Sequence, residues 1–378
     1  MQEKQFIPRM QKNRIEEKLS NNKLLLIQGP KRVGKKTLIE EVLVEKNCDY
    51  TLYDCSEKKT KKQLQKTIEF SGTKQSFIVL YEAQYLPNLG NILEAVLSGK
   101  IVATVVIICS YKPQINSDLL EAINQAELCI DLFAPSFYES AQFFGLPNEE
   151  KLLEERLVFG SYPEVIGDLV NANASLQEII KEAIFANLSA KERINKSDQL
   201  MRMLQILAFN IGENLSYNEI AIKCQLDNET VERYIDLLGD AFILIRLKSF
   251  NNGNRYELKK SNMIYFTDNG IRNALINNLN PTFLRDDMNA LWRNYVIAER
   301  IKWMRMTGIL NESYFWKTTT NQELDFLEIK ENKIFAYKTD WEKRKKIKFP
   351  RSFEESYPEA KTSVINRSTY WSFLTQKK

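Results

Sequence analysis

Leu24-Leu25-Leu26-Ile27-Gln28-Gly29-Pro30-Lys31-Arg32-Val33-Gly34-Lys35-Lys36-Thr37 decides the fold of the first part of the chain. The apolar run 24–27 reads as a buried strand, and Gly29 to Lys35 has the spacing Gly, four residues, Gly-Lys. An amphipathic stretch through Leu38, Val42 and Leu43 follows, so strand, loop and helix come in the order a phosphate-binding loop needs. Glycines let the backbone curl so that successive N–H groups and the next helix N-terminus face an anion, while Lys35 reaches the terminal phosphates. The following position normally carries Ser or Thr, whose hydroxyl ligates magnesium; here it is Lys36, and an ammonium is no metal ligand. Thr37 is a poor substitute, because one helical step turns the side chain by about 100°. Lys31, Arg32, Lys35 and Lys36 together offer another way to neutralise phosphate, without a metal. The plainer alternative is a basic helix start behind a glycine turn.

A second strand, Ser76-Phe77-Ile78-Val79-Leu80-Tyr81-Glu82, ends where such folds place an Asp-Glu pair for the metal's water shell and the attacking water. Tyr81 holds the Asp position; Glu82 is the candidate general base, short of charge stabilisation without a positioned magnesium. A third strand at 102–108 leads to Cys109-Ser110, and Ser110 is read either as a polar sensor of the γ-phosphate or as an ordinary strand-end turn.

Further stretches recur in order along the chain: Glu82-Ala83-Gln84 with Pro87, Ser136-Phe137-Tyr138-Glu139, and Gly160-Ser161-Tyr162-Pro163-Glu164-Val165. Beyond them come Ile264-Tyr265-Phe266-Thr267-Asp268-Asn269-Gly270-Ile271-Arg272-Asn273 and Ala290-Leu291-Trp292. With the phosphate loop, these make the chain resemble prokaryotic AAA-family ATPases that join an AAA core to a winged helix and a C-terminal restriction-endonuclease-like domain, over about residues 5–375. The resemblance implies an α/β fold in four parts. These are a P-loop AAA-type domain (1–140), a helical lid (141–198), a winged helix (199–260) and a PD-(D/E)XK nuclease-like α/β domain (261–378). It implies ATP or ADP as the bound cofactor and nucleotide contacts from Gly29, Pro30, Lys31, Arg32, Val33, Gly34, Lys35, Lys36, Thr37 and Ser110. It also exposes departures: Lys36 for Thr, Tyr81 for Asp, Gln125-Ala126 for a Gly-Arg arginine-finger pair, and Ala186-Asn187 for a Lys-Asp pair after the lid. An arginine finger alone can be worth about 10³ to 10⁵ in rate. The expected protein binds nucleotide and hydrolyses it slowly or not at all.

At 378 residues, 44% hydrophobic and 27% charged, the chain is long enough for two or three cores. Its longest apolar run, 101–109, is far short of the roughly 20 residues a membrane helix needs. The start Met-Gln-Glu-Lys-Gln is no signal peptide, so a cytoplasmic location is expected. Five scattered cysteines (Cys48, Cys55, Cys109, Cys129, Cys224) suggest buried thiols rather than disulfides or zinc. Histidine is absent altogether, which removes imidazole catalysis and His-ligated metals. A net charge of +4 gives no whole-chain case for nucleic acid.

An amphipathic helix at 200–211 leads into Leu215-Ser216-Tyr217-Asn218-Glu219, where Ser216 and Glu219 form a capping box. Gln225-Leu226-Asp227-Asn228 turns into another helix, and 242–247 with 256–258 reads as a hairpin, completing a winged helix. The would-be recognition helix carries Asp227, Glu229, Glu232 and Asp236 against Arg233, a face that phosphates repel. Arg246, Lys248, Arg255, Lys259 and Lys260 flank the hairpin and offer non-specific contact with a phosphate backbone.

Toward the C-terminus a helix at 292–303 precedes strands at 313–316, 323–328 and 334–340, an order that suits a nuclease-like unit. Such sites converge an Asp with a Glu-x-Lys on a metal, since residues i and i+2 share a strand face. Asp325 fits the first role; the pair reads Lys338-Thr339-Asp340 with charges exchanged, and the helical Glu the family expects is Arg293. Two readings stand: a dead site kept for binding, or a permuted one in which Asp325 and Asp340 hold metal beside Lys338. The basic run Lys343-Arg344-Lys345-Lys346-Ile347-Lys348 is either a nucleic-acid contact or a solvated edge. The rival to a nucleotide-binding function is therefore a nucleic-acid or protein-interaction scaffold with a relic loop. A third reading is an active ATPase that uses Thr37 or residues donated by a neighbouring subunit.

Overall fold

The computed structural model describes residues 7–66, 77–186, 197–253, 256–258, 261–309, 311–342 and 347–375. In chain order the first unit, Met1–Pro135, contains α1 (Gln11–Asn21), β1 (Leu24–Gln28), α2 (Lys35–Glu45), β2 (Tyr50–Asp54) and α3 (Lys58–Lys66). It continues with β3 (Phe77–Tyr81), α4 (Leu89–Leu97), β4 (Thr104–Cys109), α5 (Ser117–Gln125) and β5 (Cys129–Asp131). The strands are all parallel, in the order β2-β3-β4-β1-β5.

Parallel strands need helices on their faces, and the sequence supplies them: Leu38, Ile39, Val42 and Leu43 of α2, and Leu89, Ile92, Leu93 and Val96 of α4, are buried. All six residues of β4 are buried, as its uninterrupted apolar run demands. The strand order places β4 between β1 and β3. The carboxyl ends of these three strands therefore bring the phosphate loop, Ser110 and Glu82 into one row.

The second unit, Ser136–Lys378, begins with helices α6 (Phe137–Phe144), α7 (Leu146–Lys151), α8 (Leu153–Phe159), α9 (Pro163–Gly167) and α10 (Ala172–Ile180). Next come α11 (Ser197–Phe209), α12 (Tyr217–Cys224), α13 (Asn228–Asp240), β6 (Leu244–Ser249), β7 (Asn262–Phe266), α14 (Asn269–Leu275) and α15 (Met288–Thr307). The unit ends with β8 (Glu312–Lys317), β9 (Glu323–Lys330), β10 (Lys333–Thr339), α16 (Arg351–Ser356), β11 (Lys361–Ile365) and α17 (Tyr370–Thr375). Its six strands form a mixed sheet, β11-β10-β9-β8-β6-β7. The chain is thus α/β, with one parallel and one mixed sheet.

The helix–turn–helix expected from sequence is present. Ser216 and Glu219 exchange hydrogen bonds with each other's backbone at the start of α12, and Asp227 caps α13 by accepting from the Thr230 amide. The hairpin is different from expectation. β6 pairs antiparallel with β7, from Leu244 opposite Phe266 to Lys248 opposite Asn262, whereas 256–258 makes only a bridge between Glu257 and Thr318. Burial explains the choice: Met263, Ile264, Tyr265 and Phe266 are four consecutive buried residues. Glu257 is instead a buried carboxylate held by Trp316 Nε1 and Tyr357 Oη. Asn254, Arg255, Lys259 and Lys260 lie outside the described residues, as do Asn187 and the basic residues 343–346.

α15 carries charge into the core of this unit, and each charge has a partner. Arg300 grips Glu328 with two hydrogen bonds of 2.5 and 2.8 Å, and Lys302 Nζ lies 2.7 Å from Glu299. The two glycine motifs also meet here. Asp268 caps α14 by accepting from the amides of Gly270 and Ile271, and accepts a third bond from the Ser161 amide. Gly160 (φ +75°) would place a Cβ 2.0 Å from that carboxylate, and Gly270 would place one 2.1 Å from the Phe159 carbonyl oxygen. Among the described residues no helix is long and apolar enough to cross a membrane.

Because the obstacle at Gly270 is backbone, Gly270→Ala should destabilise the second unit by about 3 kcal/mol or more. Gly167→Ala, with nothing near its added carbon, should stay within about 0.5 kcal/mol of wild type. Urea unfolding of the two variants side by side checks the difference.

Candidate functional site

The loop between β1 and α2 is shaped by close approach. A Cβ on Gly29 would sit 1.8 Å from the Leu132 carbonyl oxygen, so only glycine lets β1 turn this tightly beside the exit of β5. Gly34 (φ +92°) opens α2, and Arg32 adopts a left-handed conformation at φ +66°, uncommon outside glycine. Val33 and Pro30 are buried, while Lys31 and Arg32 are half-buried. Behind the loop lies a residue that sequence reading missed. The buried Arg9 guanidinium donates to the Val33 carbonyl at 2.9 Å and to that of Phe133, tying the loop to the chain beyond β5. A lone arginine before the first helix carries no pattern that would have revealed this.

Lys35 is buried at the head of α2. Its ammonium donates to the carbonyls of Gly29 (2.8 Å) and Pro30 (2.7 Å) and to Ser110 Oγ (3.2 Å). Ser110 Oγ in turn donates to Glu82 Oε1 at 2.6 Å. Gln84 closes the network by donating to Glu82 Oε2 (2.6 Å) and accepting from the Ser110 amide (3.1 Å). Lys35, Ser110 and Glu82, separate in sequence, form one hydrogen-bonded line, and both oxygens of the candidate base are engaged. Burial lowers the Lys35 ammonium to about 8, against the attraction of Glu82.

The departures from the expected metal site also meet. Lys36 Nζ lies 5.6 Å from the centre of the Tyr81 ring and 3.8 Å from Glu40, one helical turn on. Thr37 is exposed, as the helical step requires. Lys35 and Lys36 put two cations in the first turn of a helix whose dipole already favours an anion there.

In the second unit Asp325, on β9, accepts from the Thr339 amide (2.6 Å) and hydroxyl (2.9 Å), and from Arg293 Nη1 at 3.2 Å. Arg293 Nε is buried with no acceptor among the described residues. Lys338 reaches instead for the Lys348 carbonyl at 3.1 Å. Asp340 is buried just beyond β10, its amide donating to Ile365. Among the described residues no three acidic or thiol groups are gathered as a metal site.

Residues 21–141 match the family model described as AAA domain, while 150–282 and 288–373 match two domains of unknown function, DUF8612 and DUF4143. An uncharacterized protein of Haemophilus influenzae is 22% identical over 279 residues, covering 66% of this chain and 68% of that protein. Among solved structures, the chain is similar to a Walker-type ATPase of Pyrococcus abyssi, with a TM-score of 0.45, 19% identity and coverage of 71% and 96%. It is also similar to the RuvB Holliday junction branch migration motor of Thermotoga maritima, with a TM-score of 0.34, 15% identity and coverage of 64% and 90%. The matched segment 21–141 is the part of the chain that carries the parallel sheet and the Gly29–Lys35 loop.

Bound phosphates should restore the full charge of Lys35. ATP binding should then take up about half a proton at pH 8 and about 0.9 at pH 9, and Lys35→Arg should take up none. Calorimetry in two buffers of different ionisation heat measures this, and a buffer-independent heat at pH 9 contradicts it. The sign for stability follows: with the folded value near 8 and the ordinary one at 10.5, the ligand-free unit gains stability as pH rises between them.

Proposed function

We propose that the first unit binds ATP or ADP without requiring magnesium and hydrolyses it slowly or not at all, so that occupancy rather than turnover is the signal. The observation that carries this is the contact between Lys36 and Tyr81. The hydroxyl that would ligate magnesium and the carboxylate that would order its water shell are replaced by an ammonium and a phenol ring, and these two lie against each other. Phosphate charge is then met by Lys35 and Lys36, with Lys31 and Arg32 nearby in the loop, and by the backbone N–H groups of Gly29 to Lys35. Glu82, held by Ser110 and Gln84, is the residue in the base position, and the residue before it is Tyr81 instead of a carboxylate.

The second unit is read as the lid (141–198), winged helix (199–260) and nuclease-like domain (261–378) of the same family, in a cytoplasmic protein. Support for a silent nuclease-like site comes from Arg293, whose guanidinium lies on Asp325 and would oppose a divalent cation there. Asp325, Lys338 and Asp340 are remnants in this reading. The basic run at 343–346 lies outside the described residues, and the nucleotide-binding reading is preferred here for the phosphate-loop geometry.

Titration with ATP, followed by a phosphate-release assay on the same protein, tests the proposal. Wild type should bind, Lys35→Ala should bind at least about 100-fold more weakly, and release should stay at background. Wild-type turnover on the order of 1 s⁻¹, or affinity indifferent to Lys35, would refute it.

A further inference from the structure

α3 holds charge in an unusual way. It reads Lys58-Lys59-Thr60-Lys61-Lys62-Gln63-Leu64-Gln65-Lys66, five lysines and no acid, against a net charge of +4 for the whole chain. Lys58 and Lys62 stand one turn apart and repel, and Lys58 and Lys59 sit in the first turn, where the helix dipole disfavours cations. A surface shaped only for solubility and helix stability would mix signs here. The helix is nonetheless firmly seated: Leu64 is buried, and its carbonyl accepts from Asn88 Nδ2 at 3.2 Å.

Seating leaves Lys58, Lys59 and Lys62 exposed, and among the described residues no carboxylate pairs with them. Lys61 points the other way and lies 5.1 Å from the centre of the Tyr85 ring, which meets the Tyr111 ring edge-on at 6.3 Å. Tyr85 is only half-buried. A row of ammonium groups spaced along a helix thus borders the half-buried Tyr85 ring, which already accepts a cation over its face and is backed by the buried Tyr111. That combination, a cationic track beside a stacking surface, suits a strand of phosphates whose bases are unpaired.

We propose that α3, with the half-buried Tyr85 backed by the buried Tyr111, forms a binding surface for single-stranded nucleic acid. Phosphates lie along Lys58, Lys59 and Lys62, and a base displaces the Lys61 ammonium from the Tyr85 ring. The surface lies within the first unit and does not depend on the phosphate loop being occupied.

Fluorescence anisotropy of the full chain with a labelled single-stranded oligonucleotide of about twenty nucleotides, at low salt and without ATP, tests this. The triple variant Lys58→Glu/Lys59→Glu/Lys62→Glu should bind roughly tenfold or more weakly, with a salt slope lower by about 2. Reversing two exposed lysines elsewhere, Lys223→Glu/Lys333→Glu, should have little effect. Tyr85→Ala should reduce the preference for single strands over a duplex of the same sequence. The proposal falls if wild type does not bind, if the triple variant binds like wild type, or if the control pair is equally damaging. It also falls if a polyglutamate peptide competes as well as unlabelled oligonucleotide, which would assign the surface to an acidic protein, or if ATP displaces the strand.

Discussion

A buried ammonium must be satisfied, and the first unit is arranged around that requirement at Lys35. Its donors go to two carbonyls of its own loop and to Ser110, so the loop closes on its own lysine. This holds only because β4 lies between β1 and β3, which puts Ser110 beside the loop and Glu82 beside Ser110. Each partner is used: Gln84 takes the second oxygen of Glu82, and Arg9 takes the Val33 carbonyl on the far side of the loop. A polyanion entering the loop competes for the donors of Lys35, and its binding free energy is set against the loss of that closed network.

One kind of substitution occurs in both units. Where the family resemblance expects a metal ligand in the first, Lys36 lies against Tyr81; where it expects an acidic helical residue in the second, Arg293 lies against Asp325. In each place a side-chain cation stands where a divalent ion would need room and negative charge. The surrounding frame is kept by steric demands of its own: Gly29 under the Leu132 carbonyl, and Gly160 and Gly270 around Asp268. Packing demands these glycines whatever the loop binds.

Much of this was legible in the residues. The phosphate loop, the strands ending at Tyr81 and Cys109, the capping box at Ser216 and the C-terminal strands are written in local signals: glycine spacing, apolar runs, and Ser followed three residues later by Glu. What escaped depends on tertiary context. β5 is three residues long and β2 only half-buried, too little pattern to identify. The hairpin was misplaced because an asparagine-rich turn suggested a near partner, whereas burial of Met263 to Phe266 decided the pairing. Arg9 and Gln84 act through single long-range hydrogen bonds, which leave no periodicity. The Lys36–Tyr81 contact joins two departures that sequence shows separately and only the fold brings together.

The central claim, that a cation of the chain has taken over from magnesium at the phosphate loop, is tested most directly by ATP affinity measured with magnesium and again with excess chelator. Wild type should bind equally in both conditions, and Lys36→Thr/Tyr81→Asp should bind only with the metal. Wild-type affinity that disappears with the chelator would contradict the claim.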